Sequence, residues 1–438
     1  MKKISILFFA ISILLFNASC KKKVEVRPPV IEILSPAENN LFTLPKIIIV
    51  KLHIISEQAL SVVRISIDNQ DQIPISVPVF LYPEADEFDF EVEINLDQIP
   101  EETIETYLYV KVESSGGVAK EFLQLQFEGP YLISKGFYLI TSPTLNQTNI
   151  QYFDTAFSNV NFIDLPKEFN DAAVSSKEDM LFVSTKTPGK LQAYHHQDSE
   201  LAWEKEAQMP FPKLYSLNLS EPIIYTGTAN GRILGFRTNS GIEQFISELV
   251  FDSVPGEIGV FTDYIIADYK SLTGPERGWL VFYKETAALF QKHSSQINVH
   301  AFYPAISKNH AVVFGNIGSL GVIQFYDIDN NDILISLNFA TGIITASCQM
   351  ESGFFLIAVG KDIWQFKEQQ QNITLIQQTE EEIVDLQYDP VEKRIYIATE
   401  HQLLVYNATG DTLLNGIDSA NPIRKILLRM GYPSFQDE

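Results

Sequence analysis

A short strand-like segment recurs seven times along the chain: YLITS at 138, LFVST at 181, IYTGT at 224, IIADY at 265, VVFGN at 312, LIAVG at 356 and IYIAT at 395. The intervals are 43, 43, 41, 47, 44 and 39 residues. A second strand follows each one and ends on an aromatic, at Phe153, Tyr194, Phe236, Phe282, Phe325, Phe366 and Tyr406. Outer strands such as IEQFISEL (242 to 249) and ILISLNF (333 to 339), and inner ones such as LYSLNL (214 to 219) and IVDLQY (383 to 388), complete a unit of four. A period of this length means a repeat architecture, in which no single unit can bury its apolar surface alone.

Four strands every 39 to 47 residues make the blade of a β-propeller, whose apolar anchors pack against neighbouring blades. The first unit lacks an inner strand, and the chain end supplies a surplus one, IRKILLRM (423 to 430). Joined in one blade, these two ends close a ring of seven over 131 to 438. The units resemble the YVTN and quinoprotein-type propeller superfamily, related in shape to WD40 repeats, although the Gly-His and Trp-Asp signatures of the latter are missing. That resemblance implies a fold and leaves function open.

Ahead of the repeat, runs at Ile31–Leu34, Ile47–Ile54, Val62–Ile67, Phe88–Leu96, Tyr107–Val112 and Phe122–Phe127 alternate with turn signals. In FDFEVEINL, period two puts Phe88, Phe90, Val92, Ile94 and Leu96 on one face. Six or seven strands over 28 to 128 predict a β-sandwich. PPVIEILSP and VRISID resemble the Ig-like modules of bacterial lipoproteins, without the Cys pair or core Trp of antibody domains. The whole chain is therefore expected to be all-β, an Ig-like sandwich followed by a seven-bladed propeller.

The first residues carry a leader: Lys2 and Lys3, then an apolar run from Ile4 to Phe16 that is short for a bilayer span. It ends in Asn17-Ala18-Ser19-Cys20, which resembles the lipobox of bacterial lipoproteins, with Asn17 standing where that family places an aliphatic residue. The resemblance implies a signal peptide over 1 to 19, lipidation of Cys20, a tether over 20 to 27 and attachment to a membrane. Lys21, Lys22 and Lys23 stand where surface-export signals in some Gram-negative bacteria are acidic, so the expected address is the periplasmic face of the outer membrane. The other cysteine, Cys348, lies in the apolar run ITASC and reads as a buried structural thiol.

Charge excludes one class of partner. The formal charge is −23, and loss of Lys2 and Lys3 with the leader makes it −25. A protein so acidic does not bind nucleic acid by neutralising phosphates.

Catalytic chemistry leaves little trace. The Thr-Gly pairs of quinoprotein blades survive only as Ser240-Gly241, Thr341-Gly342 and Thr409-Gly410, with no tryptophan following, and Trp203, Trp279 and Trp364 read as packing. The histidines His53, His195, His196, His293, His300, His310 and His401 form no H-x-x-x-H spacing, and adjacent His195 and His196 read as a surface loop. There is no G-x-S-x-G. Asp327, Asp329 and Asn331 in YDIDNND resemble the start of a calcium loop but lack its Gly and distal Glu, and the same residues serve a hairpin turn. No other cofactor is expected.

Binding is the stronger expectation. Propellers present ligands at the mouth of the central channel, and the loops entering the inner strands here carry Asn170, Asp171, Lys213, Glu257, His300, Glu382 and Arg424. The sequence reading is a non-catalytic binding or scaffolding platform for a protein, peptide or polar ligand in the cell envelope. The alternative is a periplasmic metal-dependent hydrolase or lactonase of propeller type. Thr155, Ser253, Thr412 and Ser419 match an Asp-Ser/Thr-apolar pattern that some Gram-negative bacteria O-glycosylate.

Overall fold

The structure, a computed structural model, describes residues 27–44, 46–70, 72–83, 85–96, 105–128, 133–207, 213–339 and 342–431. The expected leader, Cys20 and the lysines of the expected tether lie outside the described residues, as does Thr341. The chain divides into two compact units at Tyr131 and Leu132. Every regular element among the described residues is a strand, and no helix is long and apolar enough to cross a membrane.

The first unit packs two sheets over one core. The smaller orders Val30–Ser35, Lys46–Ile55 and Glu87–Leu96; the larger orders Leu41–Thr43, Gly117–Glu128, Thr106–Ser114, Leu60–Asn69 and Val79–Leu81. Register sets the core directly, with Leu52 opposite Phe90, Val50 opposite Val92 and Ile48 opposite Ile94, all facing inward as period two requires. Val63, Ile65, Ile67, Leu108, Val110 and Val112 meet them from the second sheet.

The second unit holds seven four-stranded antiparallel sheets among the described residues. The innermost strands of the second to seventh sheets are Phe169–Ser175, Leu214–Ser220, Val254–Val260, Asn298–Pro304, Ile344–Glu351 and Ile383–Asp389. In the first sheet that place belongs to Ile423–Gly431, which pairs with Ile133–Thr144, so the two ends of the unit share a sheet. Each innermost strand lies against the next, and Ile423–Gly431 touches both Ile383–Asp389 and Phe169–Ser175.

The apolar core of this unit is divided among the gaps between sheets. Trp279, Ile266 and Val281 of the fourth sheet meet Val313, Phe302 and Tyr326 of the fifth. Phe137 and Leu139 of the first sheet meet Tyr396 and Ala398 of the seventh. The recurring segments are continuous apolar runs because both of their faces are covered: Ile265 and Ala267 point to the third sheet while Ile266 points to the fifth. Burying one such side chain contributes roughly 1.5–3 kcal/mol, so each gap is an adhesive layer.

Candidate functional site

Every innermost strand of the second unit carries a register break near its start. The breaks fall at 169/171, 214/217, 255/258, 299/301, 344/346, 383/385 and 423/425. A bulge inserts a residue without a ladder partner and re-aims the side chains beside it. Here the bulges surround one cavity of about 660 Å³, to which all seven innermost strands contribute.

Its wall is charged and internally braced. Asp171, Lys425 and Asp385 occupy matching positions just past the bulge on three consecutive strands. Lys425 donates to Asp171. Asp171 Oδ2 accepts from the Leu217 amide at 2.6 Å, and Asp385 Oδ2 accepts from the Ile426 amide at 2.6 Å. Each aspartate thus latches its strand to the next, and burial without such partners would be costly. Further latches are Asn170 Nδ2 to the Tyr215 carbonyl at 2.7 Å, Ser216 Oγ to the Gly256 carbonyl at 2.6 Å and Tyr303 OH to the Ser347 carbonyl at 2.8 Å.

Asp268 reaches the cavity from the second strand of the fourth sheet and accepts from the Glu257 amide. A Cβ on Gly256 would collide with its carboxylate, so only glycine permits this approach. The side chain of Glu257 then projects into the cavity with no hydrogen-bond partner among the described residues.

Burial dominates the electrostatics. It pushes Glu257 up to about 8, with repulsion from Asp171 and Asp268 adding to the shift. It likewise raises Asp268 to about 6 and lowers His300 to about 4, helped there by Lys425. Burial pulls Lys425 down, but Asp171 and Asp385 outweigh it and its pKa ends above the ordinary value. Glu257 is half-buried by exposed area because the cavity beside it is open.

Four of the seven residues expected at a channel mouth, Asn170, Asp171, Glu257 and His300, line this cavity. Arg424 instead lines a smaller pocket of about 410 Å³ that shares Asn170. Lys213 and Glu382 are exposed at the residues preceding their strands and reach neither cavity. Sequence reasoning missed Lys425, Asp385, Tyr303 and Asp268. The available signal was charge inside an apolar strand, one residue in IVDLQY and two adjacent ones, Arg424 and Lys425, in IRKILL.

Elsewhere, Asp327 accepts from the Asn330 amide at 3.0 Å and from Asn330 Nδ2 at 2.8 Å, which is turn chemistry. Asp329 takes Tyr264 OH at 2.8 Å, and Asn331 takes Tyr326 OH at 2.9 Å. Among the described residues no three His, Cys, Asp or Glu side chains stand close enough to hold a metal ion. His196 lies in the turn after Lys190–His195 but is half-buried there: it packs between Tyr138, Tyr152 and Phe162, with Tyr138 OH at its Nδ1. Of the four hydroxyls in the modification pattern, Thr155 and Thr412 are exposed, Ser419 is half-buried and Ser253 is only 1% exposed.

The repeated sheets and the polar cavity among their innermost strands define an all-β, propeller-like protein with room for a ligand. No protein-family model matches the chain, and no curated protein is similar to it in sequence. Among solved structures it is similar to the WD40 β-propeller domain of Doa1, at 9% identity and a TM-score of 0.48, over 62% of this chain and 91% of that one. It is also similar to the computationally designed Ika8 protein, at 13% identity and a TM-score of 0.45, over 59% of this chain and 89% of that one. The fold assignment rests on the strand order and the sheet-to-sheet contacts.

Proposed function

We propose that the protein is a lipid-anchored component of a Gram-negative cell envelope. In this reading its seven sheets are the blades of a closed propeller, preceded by an Ig-like spacer, and the propeller binds a partner or ligand without catalysing a reaction. The observation that carries the binding role is the cavity to which all seven innermost strands contribute, with polar side chains already fixed by latches between strands. Preorganised polar groups in a concave site are what a binding protein needs. The anchor rests on the resemblance of Asn17-Ala18-Ser19-Cys20 to a lipobox and on the leader before it. The periplasmic face of the outer membrane follows from the lysines after Cys20.

The test is affinity purification of the full chain from its own envelope, with mass spectrometry of partners and elemental analysis on the same sample. A stoichiometric partner that is lost when Ser216→Trp fills the cavity supports the reading. A tightly held divalent metal without a partner, together with esterase or lactonase turnover, replaces it with the hydrolase alternative. Cys20→Ser should move the protein from the membrane to the soluble fraction, and retention in the membrane would remove the lipid anchor from the proposal.

A further inference from the structure

The cavity wall has more negative than positive groups, and one of the negative groups has nothing to hold. Asp171, Glu257, Asp268 and Asp385 face two ammonium groups, Lys270 and Lys425. Lys425 is committed to Asp171, and Lys270 sits at an exposed strand end. Asp268 is occupied by the backbone at Glu257, and Asp385 by the Ile426 amide. That leaves the Glu257 carboxyl, half-buried and open to the cavity, without a donor among the described residues. A carboxyl that faces a protein-lined cavity and has no protein donor is placed to meet a ligand there.

The chemistry of that ligand follows from the spacing and the neighbours. The carboxylates belong to different strands and are too far apart for three to share one metal ion among the described residues. An organic cation with several N–H donors on a carbon chain spans such distances. Tyr215 and Tyr303 are also among the lining residues, and an aromatic side chain attracts an alkylammonium group more than a hydrated metal. The overall charge of −23 draws cations toward the protein from solution.

We infer that the cavity receives an alkylammonium group, with Glu257 as the carboxylate that pairs with it and the rings of Tyr215 and Tyr303 beside its methylenes. This rests on the cavity being the binding site proposed above. The group comes from a free diamine or from the lysine side chain of a peptide. The free protein holds Glu257 largely protonated at neutral pH, because burial, Asp171 and Asp268 all disfavour its charge and Lys425 and Lys270 offset only part of this. Pairing with an ammonium group ionises it, so binding releases about one proton at pH 7. His300, lowered by burial, stays neutral through that range.

The experiment is isothermal titration of the full chain with 1,5-diaminopentane, with an end-capped Gly-Gly-Lys-Gly-Gly peptide, and with 1,5-pentanediol as the uncharged isostere. It is run in two buffers of different ionisation heat. The expected result is saturable binding of one amine probe at least tenfold tighter than the diol, with proton release. Tighter binding of the peptide assigns the group to a lysine side chain, and tighter binding of the diamine assigns it to a small molecule. Glu257→Gln should weaken binding tenfold or more and abolish proton release, while Glu257→Asp keeps part of both. Thermal melting confirms that each variant is folded. Equal binding of diol and amine overturns the charge assignment and leaves the cavity as a binding site. Unchanged amine binding in Glu257→Gln, or no binding of either amine, overturns the inference outright, and the platform reading is then judged by co-purification alone.

Discussion

Arg429 and Asp179, 250 residues apart in sequence, meet in a two-point ion pair with Nε–Oδ1 and Nη2–Oδ2 both at 2.8 Å. Nη1 of the same guanidinium donates to Tyr152 OH at 3.1 Å. Arg429 belongs to the last strand of the unit, and Asp179 stands just before Met180–Thr185 of the second sheet. The pair therefore ties the chain end to the sheet beyond the one it completes. Burial opposes the charge on Asp179, but Arg429 outweighs it and holds the carboxyl below its usual range.

Arg429→Met should lower stability by about 1–3 kcal/mol. The range lies below the cost of breaking a fully buried pair because Asp179 is 34% exposed and partly screened. A double-mutant cycle with Asp179→Asn, measured by denaturant unfolding, should give a coupling above about 0.5 kcal/mol. A coupling of zero would mean that the loss comes from packing of the Arg429 side chain on Tyr152.

The gap between the fifth and sixth sheets gives a second prediction. Phe314 is fully buried against Phe355 and Phe366, with ring centroids 5.3 and 6.4 Å away. Phe314→Ala should cost about 3–5 kcal/mol, seen as a lower urea midpoint at an unchanged slope. Val160→Ala, at a position 59% exposed, should change stability by less than about 0.5 kcal/mol.

The cavity carboxyl predicts a pH signature. With its folded pKa raised to about 8 from 4.5, Glu257 contributes stability that is complete below about pH 4.5 and lost as pH rises through 8. Glu257→Gln removes this dependence. Its stability relative to wild type should therefore rise between pH 5 and pH 8.5 by on the order of 2 kcal/mol, a figure discounted because the cavity admits water. Melting curves at the two pH values measure it, and parallel curves for the two proteins would refute it.

Cys348 offers a chemical probe of the sixth and seventh sheets. It is 7% exposed and packs with Leu356, Leu386 and Ile395, and burial raises its thiol pKa well above the ordinary value. In a Cys20→Ser background, iodoacetamide at pH 8 should leave the folded protein unlabelled and modify one thiol in urea. Fast labelling without denaturant would show that the gap between these sheets opens readily.

Much of the second unit was legible because its packing leaves a coarse mark. A strand covered on both faces must be apolar throughout, so IIADY and LIAVG stand out at a regular interval. The short strands Leu41–Thr43 and Val79–Leu81 carry no such mark, since three residues cannot show a period. The site was half legible. Alternation counted from Ile423 points to Arg424 or Lys425 according to whether the strand is regular, and the bulge that decides for Lys425 has no composition of its own. Asp268 was hidden for another reason: it sits inside a recurring apolar segment that reads as core.

The seven bulges separate two tasks that a regular strand would force on the same residues. In an unbroken strand every other side chain faces the neighbouring sheet, and altering the residue on the cavity side shifts what its neighbours can pack. One surplus residue per innermost strand supplies positions excused from the ladder. Substitutions at 170, 257 or 300 can therefore change the charge and shape around the cavity while the seven adhesive layers keep their fit. A scaffold arranged in this way can acquire a new ligand by point substitution without being rebuilt.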